Sequence, residues 1–119
     1  MSDEIVDLNE VLERVQHDRE LLLELFDIFL ADCPPKMEQL KTASKNKNAE
    51  QIKTLAHGLK GASANIAAKK LNASFVAIEN KVKEGALDDL PDLVASLGPQ
   101  IDELRVYYKK LSHEFKATE

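Results

Sequence analysis

Apolar side chains recur every three or four residues along almost the whole chain, which is the spacing of one face of an α-helix. No stretch alternates between apolar and polar residues for long enough to predict a strand. Polar turns and capping residues divide the pattern into a short helix followed by four longer segments. The predicted segments run from Asp7 to Val15, from Asp18 to Lys45, from Asn48 to about Ala67, from Leu71 to Gly85, and from Asp88 or Asp89 onward. The pattern predicts an all-α fold, an antiparallel up-and-down four-helix bundle with a short extra N-terminal helix.

Two pairs of helix-breaking residues lie inside these segments. Pro34 and Pro35 interrupt the second helix, and we expect the helix to resume after a kink. Gly98 and Pro99 fall in the middle of the last apolar stripe, which keeps its phase on both sides and therefore predicts one long, kinked helix. Residues 1–6 precede the first cap and are predicted to form a flexible tail. The whole chain, residues 1–119, is predicted to be a single domain.

The second helix has more apolar residues than one buried face requires, since they span more than half of a helical wheel. They are Leu21, Leu22, Leu23, Leu25, Phe26, Ile28, Phe29, Leu30 and Cys33. We expect the short first helix to cover part of this surface and a partner to use the rest.

The third helix places a histidine opposite its apolar stripe. His57 lies about 160° from the middle of the stripe on a helical wheel, so the imidazole should point to solvent. Gly61 and Ala64 share its face at positions i+4 and i+7, and Lys53 and Lys60 lie on one flank. Most exposed histidines have no function, but this one stands on an almost bare, basic helix surface.

Two glycines strengthen the case for His57. Gly58 and Gly61 each cost about 1 kcal/mol of helix stability relative to alanine, which indicates that bare backbone is required around the histidine. The structural alternative is that the glycines admit a neighbouring helix. That alternative could explain Gly58, which is nearer the apolar stripe, but it explains Gly61 poorly.

Composition and charge narrow the classes of function. Apolar residues make up 44% and charged residues 31% of the chain, which is typical of a soluble globular domain. No apolar run is long enough to span a membrane, the acidic N-terminus lacks a signal-peptide pattern, and Cys33 is the only cysteine. These features predict a cytoplasmic protein.

The net charge of −5 is unevenly distributed. Residues 36–83 contain ten lysines and three glutamates, whereas the segments on either side are acidic. His57 therefore lies in the one basic segment, which should attract an acidic partner. The segment has no arginine and no interleaved aromatic residues, so nucleic acid is not the expected partner.

Few residues other than His57 indicate a catalytic or metal-binding role. A neutral imidazole is a competent nucleophile. The chain has no glycine-rich phosphate loop, no nucleotide motif and no acidic cluster for Mg²⁺. A zinc site is not predicted either, because no two of Cys33, His17, His57 and His113 have ligand spacing. Any metal that assists a reaction must come with the partner.

The motif His57-x-Leu59-Lys60-Gly61-x-Ser63 resembles the signature of histidine-containing phosphotransfer (HPt) domains. The segments Asp7-Leu8-Asn9 and Ile78-Glu79 and the apolar helix before Pro34 are similar too, so the resemblance covers nearly the whole chain. One position departs from it. The family usually has glycine ten residues after the histidine, where this chain has Ala67, which leaves the local backbone open.

The resemblance implies a helical bundle and a phosphorelay function. His57 would accept a phosphoryl group from a receiver-domain aspartate and pass it to another receiver, without kinase activity of its own. Lys60 would bind phosphoryl oxygens, and Glu79 would hold the unreactive ring nitrogen, although it could equally be a solvated helix residue. Gly61 would give the receiver clearance, within a docking surface that includes Ala64 and Lys53.

The partners implied are response-regulator receiver domains and a hybrid histidine kinase, with the chain itself a monomer. The chain would bind no cofactor, and Mg²⁺ is expected on the partner receiver domain. The alternative function is a helical-bundle binding module that docks a receiver or another protein without phosphotransfer. The two functions differ in whether His57 becomes phosphorylated.

Overall fold

The structure, a computed structural model, describes residues 5–117, and these residues are helical throughout apart from short connections. The helices are α1 (Leu8–Arg14), α2 (Arg19–Lys45), α3 (Ala49–Asn65), α4 (Lys69–Glu84), α5 (Leu90–Ala95) and α6 (Leu97–Ala117), with a 3₁₀ turn at Leu87–Asp89. Helices α2, α3, α4 and the α5–α6 pair form a four-helix bundle, and α1 is the extra N-terminal helix. The all-α prediction is therefore confirmed. No helix in the described part of the chain combines the length and apolarity that crossing a membrane requires.

The predicted helix ends owe their positions to local hydrogen bonds. Three predicted N-caps each accept a hydrogen bond from the backbone N–H three residues later, which satisfies a donor that the helix itself cannot. The pairs are Asp7 with Glu10 at 3.1 Å, Asp18 with Leu21 at 3.0 Å, and Asn48 with Gln51 at 3.2 Å. At the end of α4, Gly85 adopts the left-handed conformation of a C-cap, with φ of 75°.

Helix α3 lies between α2 and α4 and packs most extensively against α4. Helix α6 packs against α2 and α4 and so occupies the corner of the bundle across from α3. The inner faces of these helices form one core, whose largest fully buried side chains include Phe26, Phe75, Leu40 and Leu104. The outer face of α3 is left free of other long helices.

The prediction of one long, kinked C-terminal helix is wrong. The helix breaks at Ser96 into α5 and α6, three residues before Pro99. Because Pro99 has no N–H, it cannot bond the carbonyl of Ala95, and its ring crowds that carbonyl. At the break, the side chain of Ser96 donates to the carbonyl of Leu93 at 2.6 Å. The apolar phase persists because Leu90, Val94, Leu97 and Ile101 still face the same core.

The two prolines of α2 do not break the helix, which runs through them to Lys45 as predicted. Pro34 has no N–H to offer the carbonyl of Leu30, four residues earlier. Arg105 of α6 replaces that donor, because its Nη2 donates to the Leu30 oxygen at 3.2 Å. A side chain from a neighbouring helix thus replaces one of the hydrogen bonds that the two prolines remove.

The predicted flexible tail, residues 1–6, is wrong for its last two residues, and residues 1–4 lie outside the described part of the chain. Val6 is only 4% exposed and belongs to the core, against which Ile5 also packs. The backbone N–H of Asp7 donates to the carbonyl of Ala67 at 2.9 Å. An apolar residue before an N-cap commonly packs onto its own helix and fixes how the chain enters it.

The wide apolar surface of α2 is partly covered by α1, as predicted, and partly exposed. Leu22, Phe26 and Phe29 are buried in the core, and α1 packs against α2. Leu21 and Ile28 remain 40% and 61% exposed. The exposed part of this surface is available to a partner.

Candidate functional site

His57 projects from the outer face of α3, as its position opposite the apolar stripe predicts. Its side chain is 73% exposed, whereas the stripe on the other side of the helix is buried at Ile52, Ala56, Leu59 and Ser63. A Cβ added at Gly58 or Gly61 would meet no described atom within 4 Å. Neither glycine is needed to admit a neighbouring helix, so the structural alternative for Gly58 is wrong. Both leave bare helix surface around the imidazole.

Glu79 of α4 holds one nitrogen of the imidazole. Its Oε2 lies 3.2 Å from Nδ1 of His57, and the glutamate side chain is only 14% exposed. Because an ionised carboxylate can only accept hydrogen bonds, Nδ1 is the protonated nitrogen in this pair. The other nitrogen, Nε2, then carries the lone pair of the neutral ring. The site therefore presents a nucleophilic nitrogen to solvent.

Lys60 binds the second oxygen of the same carboxylate. Its Nζ lies 2.8 Å from Oε1 of Glu79, so one glutamate joins the lysine and the histidine of the motif. The hydrogen bond from Lys60 is the main reason that the pKa of Glu79 is lowered, and the hydrogen bond with His57 adds to it, while burial opposes both. Glu79 is therefore a carboxylate at neutral pH. The sequence placed Lys60 beside a phosphoryl group, but it did not predict this ion pair.

The predicted docking residues Lys53, Gly61 and Ala64 are all exposed and share the helix face of His57. The carbonyl of Ala64 accepts a hydrogen bond from the Arg14 side chain, so α1 borders the face at its C-terminal end. On the side toward α2, a shallow groove of about 90 Å³ runs between the two helices and includes Leu25, Leu59 and Ala62 in its lining. The bare surface around His57 is thus bounded by α1 and by an apolar groove.

The backbone conformation of Ala67 explains why glycine is usual at this position. Its φ is 51°, in the left-handed region. This conformation costs a residue with a Cβ about 1–2 kcal/mol, a cost that glycine avoids. Helix α3 ends two residues earlier, at Asn65, and the buried Ala67 turns the chain toward α4. The chain therefore places an alanine in a left-handed turn, ten residues after His57.

Asn72 belongs to the surroundings of the site, although nothing in the motif points to it. Its Nδ2 donates to the carbonyl of Lys60 at 2.9 Å, across the interface between α3 and α4. The signal in the sequence is its spacing, since Asn72 precedes Glu79 by seven residues and so lies on the same side of α4 two turns earlier. That signal is useful only when the register of the two helices is known.

No group of three potential metal ligands among His, Cys, Asp and Glu converges anywhere in residues 5–117. Cys33 is buried, and burial raises the pKa of its thiol to about 11, so it is a neutral core side chain at physiological pH. The chemistry available on the described surface is that of an exposed, carboxylate-held imidazole.

An all-helical bundle that presents such a histidine defines a class of phosphoryl-carrying proteins, and comparison with known families agrees. The family model described as the Hpt domain matches residues 24–112, and the chain belongs to this family. Hpt domains are histidine phosphotransfer intermediates of phosphorelays, and they work with the receiver domains of response regulators. The protein is therefore a phosphorelay intermediate of this kind.

The fold is also similar to a solved structure. The crystal structure of histidine-containing phosphotransfer protein B (HptB) from Pseudomonas aeruginosa PAO1 superposes with a TM-score of 0.81. The match covers 91% of this chain and 94% of that chain, at 24% sequence identity. This similarity shows the shared fold. A search of curated protein sequences found no match.

Proposed function

We propose that Nε2 of His57 is the phosphoacceptor. It attacks the phosphorus of an aspartyl phosphate on one receiver domain, the bond between phosphorus and the aspartate oxygen breaks, and the aspartate leaves as a carboxylate. The new N–P bond is then broken when the aspartate of a second receiver attacks the phosphorus. The observation that carries the proposal is the hydrogen bond between Nδ1 and Glu79, which leaves Nε2 exposed as the lone-pair nitrogen.

Glu79 and Lys60 have complementary roles in this proposal. As Nε2 bonds to phosphorus, positive charge develops on the ring, and the carboxylate of Glu79 stabilises it through Nδ1–H. Lys60 neutralises the glutamate, so the carboxylate does not repel the incoming phosphoryl oxygens. Its ammonium can also supply a positive charge to those oxygens, as phosphoryl transfer requires. Both residues assist the transfer, and neither forms a bond to phosphorus.

The receiver docks over the bare surface formed by Gly61, Ala64 and Lys53. The exposed Ile28 and the apolar groove beside α3 support docking from the α2 side. We propose that Mg²⁺ is bound by the receiver, where it neutralises the phosphoryl oxygens. The receiver that donates belongs to a hybrid histidine kinase, and the chain acts as a cytoplasmic monomer. The basic segment around His57 favours an acidic receiver surface.

The decisive experiment is phosphoryl transfer from radiolabelled receivers of the same genome. The parent protein should acquire an acid-labile label, and His57→Gln should acquire none. The matched control is His113→Gln, because His113 is also exposed but lies near the end of α6. It should be labelled like the parent. Lys60→Ala and Glu79→Gln should be labelled more slowly, without loss of the folded state.

Two results would contradict the proposal. Label that persists in His57→Gln would place the phosphoacceptor elsewhere. A parent protein that binds receivers but takes label from none of them would instead be a docking module without phosphotransfer.

A further inference from the structure

Asn72 connects α4 to the backbone of α3 one turn beyond His57. Its side-chain amide donates to the carbonyl of Lys60 at 2.9 Å and lies 3.4 Å from Oγ of Ser63. Ser63 is completely buried, and its hydroxyl donates to the same Lys60 carbonyl at 2.9 Å. Ser63, the last residue of the motif, and Asn72, which lies outside it, therefore both donate to the Lys60 carbonyl oxygen.

We propose that Asn72 is a positioning residue for phosphotransfer, because it sets the register of α4 against α3 that brings Glu79 to His57. This inference rests on the proposed role of Glu79. The two α4 residues are seven positions apart, about 10 Å along the helix axis and on nearly the same side. A slip of one residue would move Glu79 by about 1.5 Å and turn it by about 100°, which would break its 3.2 Å contact with Nδ1.

Glu79 itself makes polar contacts with His57 and Lys60, and apolar packing joins the two helices elsewhere along their interface. Their buried faces are apolar at Ala56, Leu59, Phe75 and Ile78, and apolar attraction is not directional. The hydrogen bonds of Asn72 are directional and end on the backbone of α3, so they specify one position along its axis. The Lys60 carbonyl that they hold belongs to the residue whose ammonium binds Glu79. Backbone and side chain of Lys60 therefore connect Asn72 to the carboxylate that orients the imidazole.

The test compares Asn72→Ala with Ser74→Ala. Ser74 is also a partly buried polar residue of α4, but its hydroxyl is hydrogen-bonded to Gln100 of α6 and to the Lys70 carbonyl of its own helix. Asn72→Asp is a second variant of the same shape that lacks the amide donors, for use if Asn72→Ala folds poorly. For each variant, ¹⁵N NMR reports the tautomer of His57, thermal unfolding reports stability, and single-turnover transfer from a saturating receiver reports the rate.

We expect both Asn72 variants to lower the Nδ1–H population of His57 toward that of Glu79→Ala, which lacks the acceptor, and to slow transfer by about tenfold or more, since misplacement of about 1 Å can cost about 10²-fold. Ser74→Ala should keep the parental tautomer and rate, even if it melts earlier. Asn72 variants that lose only melting temperature would show a purely structural role and overturn the inference. If Glu79→Ala leaves tautomer and rate unchanged, the proposed role of Glu79 fails first, and the role of Asn72 fails with it.

Discussion

At the scale of single residues, substitutions at Gly61 should change the stability of the protein and its rate of phosphotransfer in opposite directions. It lies in the interior of α3, and a Cβ there would meet no described atom within 4 Å. Replacing it with alanine or glutamine should therefore raise the free energy of unfolding by about 0.4–1 kcal/mol, because the unfolded chain loses conformational freedom. Glutamine would nevertheless stand one turn from His57, where the receiver must approach. We expect Gly61→Gln to melt at or above the parental temperature and to transfer phosphate about 10²-fold more slowly.

Gly61→Ala is the control for this prediction, since it makes the same backbone change with a much smaller side chain. The two variants should have similar melting temperatures, whereas their single-turnover transfer rates should differ. Full activity in Gly61→Gln would show that the receiver does not dock over this face.

The sequence predicted the positions of the candidate site residues on α3 better than it predicted their contacts. His57 and Gly61 face solvent because helical periodicity alone determines which side of α3 is buried. Glu79 reaches His57, as the resemblance implied. The pairing of Lys60 with Glu79 and the contact of Asn72 with α3 depend on the axial register of two helices. Periodicity within one helix carries no information about register, so these two contacts could not be derived.

At the scale of elements, Arg105 compensates for the proline in α2. Its hydrogen bond serves the Leu30 carbonyl, which Pro34 cannot. Arg105→Met keeps much of the apolar stem and removes the donors, so a carbonyl at a buried residue loses its partner. We expect the free energy of unfolding to fall by about 1–3 kcal/mol, measured by chemical denaturation.

A double-mutant cycle tests whether Arg105 stabilises the protein by replacing the backbone donor that Pro34 lacks. Pro34→Ala restores a backbone N–H four residues after Leu30, so Arg105→Met should cost clearly less in that background than in the parent. An equal cost in both backgrounds would mean that Arg105 stabilises the protein by packing or charge and not by replacing the missing donor.

The starts of three helices were predictable from the sequence because capping is local. Asp7, Asp18 and Asn48 each bind a backbone N–H three residues away, within the same short segment. The break at Ser96 was missed because the apolar phase continues from α5 into α6, so periodicity could not reveal it. The burial of Val6 was not predicted because it belongs to a single apolar pair that follows acidic residues near the N-terminus, too short to give a periodic pattern.

At the scale of the whole molecule, the charge is arranged so that the basic residues lie on the helices of the site. The lysines of residues 36–83 lie on the second half of α2, on α3 and α4, and in the turn between α2 and α3. The first half of α2 and the region around α5 are acidic. Such a field raises the rate of encounter with an acidic partner and favours approach toward His57, without contributing to the chemical step.

Reversing the charge of Lys53 tests whether this electrostatic field guides the partner toward His57. It is exposed one turn before His57 on the same face of α3, whereas Lys109 is an exposed lysine of α6, across the bundle. Lys53→Glu and Lys109→Glu change the net charge equally, so only the place of the change differs. At about 0.01 M salt, where the screening length is about 30 Å, we expect Lys53→Glu to lower kcat/KM for transfer from an acidic receiver by roughly tenfold. Lys109→Glu should have a much smaller effect.

Because Lys53 does not touch the reacting atoms, the rate at saturating receiver should stay at the parental value. The difference between the variants should shrink as salt is raised and the screening length falls to about 3 Å near 1 M. Equal losses in the two variants would show that net charge alone governs the encounter, and a lower saturated rate in Lys53→Glu would place that lysine in the reaction itself.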